Sequence, residues 1–86
     1  MELEKETGLI ETIFFLESEP LTVKNLATKA QLSEEVTEQC IENLKEKYSE
    51  SSSGIELAMI TGGWCLIPKK EFWEVLKEFY GSKRDG

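Results

Sequence analysis

Apolar residues in "GLIETIFFLES" return at three- and four-residue intervals, so that Leu9, Ile10, Ile13, Phe14 and Leu16 fall on one broad arc of a helical projection. Phe15 points away from that arc. The period predicts a helix over residues 6–17, ended by Ser18-Glu19-Pro20, because a proline disfavours helical backbone at the residue before it. Leu21 then reads as a short extended link, and Thr22 stands where an N-cap belongs. Val23, Leu26, Ala27 and Ala30 recur at helical spacing behind it. After "QLS", Ser33 caps a third helix whose buried arc is Val36, Cys40, Ile41, Leu44 and Tyr48. Two helices joined by so short a link read as a helix-turn-helix.

The serine-rich "SESSSG" breaks the helical period. "IELAMITGGWCLIP" reads as a β-hairpin with Gly62-Gly63 at its tip, which would pair Thr61 with Trp64, Met59 with Leu66 and Leu57 with Pro68. One face then carries Ile55, Leu57, Met59, Trp64 and Leu66, the other Ala58, Ile60, Cys65 and Ile67. Both faces are apolar, which is unusual for a two-stranded wing with water on one side. A last helix gathers Phe72, Trp73, Val75, Leu76, Phe79 and Tyr80 on one side, with Gly81 as its stop and 82–86 as a disordered tail.

The order is helix, helix, helix, hairpin, helix: a mostly α fold with a small β-hairpin, that of a winged helix-turn-helix. A single domain over 1–81 is expected, with a core of Leu9, Ile13, Leu16, Leu26, Val36, Cys40, Leu44, Leu57, Leu66, Leu76 and Phe79.

Charge changes the picture that such a fold suggests. Glutamates stand at 34, 38, 42, 46 and 50, a spacing that stacks Glu34, Glu38, Glu42, Glu46 and Glu50 on one helix face. That helix is the one that would enter a DNA groove, where phosphate affinity comes from Lys and Arg. The whole chain is acidic too, with formal charge -7 from Lys+Arg 10 against Asp+Glu 17. Specific DNA binding is therefore not expected, and a DNA-binding winged-helix regulator is the alternative reading. The rail reads first as a solvated face and second as an acidic partner surface.

Candidate chemistry is sparse. The sequence has no histidine, which removes histidine metal sites, Ser-His-Asp and Cys-His catalysis and a histidine pH switch. Cys40 and Cys65 are not a Cys-x-x-Cys pair and sit in apolar patterns, so buried reduced thiols are expected. The "TGG" stretch lacks the lysine and longer glycine pattern of a phosphate loop. No catalytic residue, cofactor or metal is assigned. No apolar run has membrane-spanning length and "MELEKETG" is unlike a signal peptide, so a cytoplasmic protein is expected.

What stands out is apolar surplus: Phe15 off the first helix's stripe, and the second hairpin face. Phe15, Ala58, Ile60, Cys65 and Ile67 are the candidate interface, with a second copy of the chain as the simplest partner.

These residues also resemble a known family. "LIETIFFLESEPLTVKNLA" is similar to the opening of segregation and condensation protein B (ScpB): an apolar helix, then Glu19-Pro20-Leu21, then a short helix entered through Leu26-Ala27. Leu44, Tyr48, Gly54-Ile55, Leu57, Gly62-Gly63, Trp64 and Leu66 match its "L-x-x-x-Y … G-I-x-L … G-G-[aromatic]-x-L" pattern, and Glu71 fits a charged position starting the last helix. The resemblance implies a non-enzymatic accessory subunit that homodimerises, binds the kleisin ScpA and through it SMC, and is nucleoid-associated in chromosome condensation and segregation. A winged-helix adaptor of another complex is the remaining alternative. Members of the family have two winged-helix domains, and the second is expected to be absent from this chain.

Overall fold

The structure, a computed structural model, describes residues 2–85, with side chains described for 2–81. Its elements run α1 (Glu4–Leu16), α2 (Val23–Ala30), α3 (Glu34–Lys47), β1 (Ile55–Ile60), β2 (Gly63–Pro68) and α4 (Lys70–Asp85). This is the order of the winged helix. The predicted caps do their work: the Thr22 hydroxyl accepts from Asn25 N–H at 3.0 Å and Ser33 Oγ from Val36 N–H at 3.1 Å. Each satisfies a helix-terminal donor that has no partner inside the helix.

Helices α1, α2 and α3 enclose the core. Ile10, Leu26, Cys40 and Leu44 are wholly buried, with Phe14, Leu21, Ile41 and Leu57 closing around them. Ile13, Val36 and Leu66 pack against this cluster from partly buried positions. At its edge Asn43 Nδ2 donates to the buried Thr7 hydroxyl at 3.0 Å and to the Glu2 carbonyl at 2.9 Å, tying α3 to the start of α1.

Four of the expected core positions lie outside this cluster. Leu9 is 44% and Leu16 74% exposed. Side chains advance by roughly 100° per residue along a helix, so the buried stripe through Thr7, Ile10 and Phe14 leaves Leu9 and Leu16 far round the axis. The arc drawn from sequence was wider than α2 and α3 can cover. Leu76 and Phe79 are exposed for another reason, since α4 turns this stripe to solvent. The Cα radius of gyration is 13.6 Å, against about 12 Å for a compact domain of this length.

The hairpin differs from its expected register. Met59 faces Trp64, Leu57 faces Leu66 and Ile55 faces Pro68, so the turn residues are Thr61 and Gly62 rather than Gly62 and Gly63. Both carry positive φ, 28° and 82°, as a two-residue hairpin turn twisted to match its strands requires. The slip is two residues, and side chains alternate with period two, so the two faces keep their membership. Gly63 is released from the tip to do something else. A Cβ there would lie 2.7 Å from Leu21 N and 2.8 Å from Pro20 C, and this close approach lets Leu21 pair with Trp64 through hydrogen bonds of 2.9 and 2.7 Å. The linker before α2 is thus stitched to the wing.

At the C-terminal end α4 runs through Gly81 to Asp85, where the sequence suggested a stop and a disordered tail. Glycine weakens a helix interior by about 1 kcal/mol but ends it only in a left-handed conformation, and Gly62 is the glycine with positive φ among the described residues. Gly86 lies outside the described residues.

Candidate protein interaction surface

The exposed apolar side chains are not scattered. On α1, Phe15 is 83% and its neighbour Leu16 74% exposed. Three consecutive helical positions span about 200°, so a Phe-Phe-Leu run on a helix with one buried side leaves part of itself wet. On α4, Val75 and Phe79 are exposed by 71% and 72%, with Phe72, Leu76 and Tyr80 beside them. These positions are spaced three and four apart and form a single stripe.

A groove of about 280 Å³ lies next to Phe15, lined also by Thr12, Ile55, Leu66, Glu11 and Tyr48. Its polar edge is ordered. The Tyr48 hydroxyl donates to Glu11 Oε2, and Lys47 Nζ donates to the same oxygen at 2.9 Å. The Tyr48 bond first, and Lys47 second, hold the Glu11 carboxyl below its ordinary range. Burial, reinforced by the Glu11 charge, pushes the Tyr48 phenol above its own.

The candidate interface residues do not all share one environment. Phe15 and Ile60 are exposed, while Ala58, Cys65 and Ile67 are partly covered on the same hairpin face as Ile60. Cys40 and Cys65 are both free thiols, Cys40 fully buried and Cys65 only partly so. The residues that sequence reasoning missed are those of α4. Leu76 and Phe79 were assigned to the core because a helix with one apolar side normally has a core to lie on. The available signal was quantitative: an apolar stripe running from Phe72 to Tyr80 is more than so small a domain can enclose.

Four of the five glutamates share α3. Glu34, Glu38, Glu42 and Glu46 are exposed on α3, and Glu50, also exposed, lies beyond the helix end at Lys47. The two lysines of α3 are engaged. Lys45 Nζ lies 3.4 Å from Glu42 Oε2 and 5.3 Å from the Trp64 ring centroid, while Lys47 turns away to Glu11 on α1 and relieves none of the rail. A second, open groove of about 450 Å³ between Val23 and Trp64 is walled by Glu35, Glu38 and Glu42. The cation beside this face, Lys45, is thus already engaged by Glu42 and Trp64. Among the described residues there is no cluster of metal-ligating side chains and no helix long and apolar enough to cross a membrane.

Comparison with known proteins agrees with the fold. The chain is 25% identical over 85 residues to segregation and condensation protein B of Acetivibrio thermocellus, covering 98% of this chain and 43% of the relative. It is 32% identical over 76 residues to the protein of the same name from Lactococcus lactis subsp. lactis, covering 86% and 40%. It therefore spans about two-fifths of the length of these curated relatives. Among solved structures, a dimer of an ScpB N-terminal domain complexed with an ScpA peptide superposes with a TM-score of 0.82 at 26% identity, over 92% of each chain. ScpB from Mycobacterium tuberculosis shares the fold, with a TM-score of 0.82 at 14% identity over 98% of this chain and 52% of its own. The family model for the segregation and condensation complex subunit ScpB matches residues 8–86, and the chain belongs to that family.

Proposed function

We propose that this chain is a homodimerising, non-enzymatic module of a bacterial SMC–kleisin complex, acting in chromosome condensation and segregation from the cytoplasm, at the nucleoid. The observation that carries the reading is the exposed apolar surface on a winged helix whose recognition helix is acidic. A fold that keeps its packing but turns glutamates to solvent is suited to protein partners and ill suited to phosphate. The exposed Phe15 and the hairpin face of Ala58, Ile60, Cys65 and Ile67 serve as contact surface for a second copy. The solved relative, a dimer bound to an ScpA peptide, supports both a second copy and a kleisin segment as partners.

Light scattering coupled to size exclusion tests the dimer, with a monomer at tens of micromolar counting against it. Ile60→Glu is expected to dissociate the dimer without unfolding it. Co-purification of the chain with ScpA tests the kleisin contact. A gel shift on duplex DNA at low salt is expected to be negative, and tight, salt-sensitive binding would restore the DNA-binding alternative.

A further inference from the structure

The groove between α3 and the wing has two unlike sides. Val23, Ile41 and Trp64 give it an apolar floor, while Glu35, Glu38 and Glu42 line its α3 rim. Those carboxylates follow one another at steps of three and four, which is one face of the helix. The chain itself holds the opposite rim in place. Trp64 N–H donates to the Leu21 carbonyl at 2.7 Å and the Trp64 carbonyl accepts from Leu21 N–H at 2.9 Å, fastening the wing to the entry of α2. Carboxylates so spaced repel one another, and a cation set between them relieves the repulsion. The chain supplies one such cation at the Glu42 end. Lys45 Nζ lies 3.4 Å from Glu42 Oε2 and 5.3 Å from the Trp64 ring centroid, so a carboxylate and an aromatic face share it. Among the described residues no ion pair includes Glu35 or Glu38.

We propose that this groove receives an arginine-bearing segment of a partner protein, its side-chain stems over Val23 and Trp64 and its guanidinium groups on Glu35 and Glu38. Arginine suits both sides at once. Its stem covers apolar surface, and its planar head pairs with a carboxylate through two bonds and stacks on aromatic rings. Lys45 already shows that a cation is held where Glu42 and Trp64 meet. The groove is open and about 450 Å³ in volume, which suits a passing length of chain. A nucleic acid or an acidic peptide would meet charge of its own sign there. A free polyamine offers charge to Glu35 and Glu38 but no side chain to cover Val23 and Ile41. Trp64 stands opposite Met59, on the hairpin face away from Ala58, Ile60, Cys65 and Ile67. The two surfaces can therefore be filled independently, and this one needs no second copy.

Fluorescence anisotropy tests the groove, using a fluorescein-labelled peptide of alternating arginine and leucine titrated with the full chain at low salt. Binding is expected, and the double variant Glu35→Gln, Glu38→Gln should weaken it at least about fivefold through two lost charge pairs. Glu74→Gln with Glu78→Gln makes the same change of net charge on α4 and should leave the affinity unchanged. Lys45→Ala should tighten binding about two- to threefold by releasing Glu42 and the Trp64 ring to the peptide, whereas Lys77→Ala should not. Equal weakening by both glutamine pairs overturns the groove as the seat and leaves only attraction to net charge. An arginine–glycine peptide that binds as tightly, or free spermine that displaces the peptide at equal charge concentration, overturns a protein segment as the occupant. Absence of binding at low salt overturns the proposal outright.

Discussion

The Tyr48 hydroxyl, at the C-terminal end of α3, donates its hydrogen bond to the carboxylate of Glu11 in the middle of α1. That one contact ties the end of α3 to the middle of α1 and shapes the polar edge of the groove beside Phe15.

Tyr48→Phe should therefore lower stability at neutral pH by about 1 kcal/mol, below the usual worth of a hydrogen bond to a charged group, because the Glu11 side chain is 29% exposed. The sign of the pH dependence follows from the two shifts. Glu11 has a lowered pKa, so its contribution is present above the ordinary carboxylate value and lost as pH falls through the folded-state value. Tyr48 has a raised pKa, so its contribution holds below the ordinary phenol value of 10.0 and declines as pH rises beyond it. Urea midpoints for wild type and Tyr48→Phe should differ at pH 7 and converge as pH falls through the lowered folded-state value of Glu11, where the carboxylate is protonated.

Gly63→Ala should cost about 2–3 kcal/mol, since its methyl would meet the Pro20-Leu21 backbone, which has no rotamer with which to yield. Gly62→Ala meets nothing within 4 Å and bears only the strain of its positive φ, about 1 kcal/mol. Equilibrium unfolding of the two variants should rank them in that order, and the reverse order would place the close approach at the turn instead.

Association of two copies that each carry a formal charge of -7 is opposed by their mean repulsion. Raising salt from about 50 to 300 mM shortens the screening length from roughly 14 to 6 Å and should tighten the dimer several-fold in sedimentation equilibrium. A basic peptide docking on Glu34, Glu38 and Glu42 would show the opposite trend, so one salt titration separates the two surfaces.

Removal of the helix caps should be felt separately. Thr22→Ala and Ser33→Ala should each lower stability by about 1 kcal/mol, as each leaves an amide of the first turn without its acceptor. Thermal unfolding of the double variant should show the two losses adding, because the caps serve different helices.

Much of this was legible in the chain because local rules carried it. Thr22 and Ser33 marked two helix starts, and period two fixed which hairpin residues share a face even though the register moved by two. The failures came where tertiary packing decides. Nothing local tells Leu16 from Ile10 on α1; only the positions of α2 and α3 do. The fate of α4 was hidden for a related reason, because an apolar stripe looks the same whether its cover is in the same chain or in another. The glutamate rail was visible as spacing, but its last member lay beyond a helix end that Ser49, Ser51 and Ser52 made hard to place.

The pairing of Leu21 with Trp64 also bears on how fast and how tightly this surface can be engaged. A wing held only by its own two strands flexes, and a partner that immobilises it gives up binding energy to the lost motion. Here the wing is clasped to the segment that leads into α2 by two short backbone bonds. The entropy of ordering that face is spent during folding, so a partner meets a template that is already set.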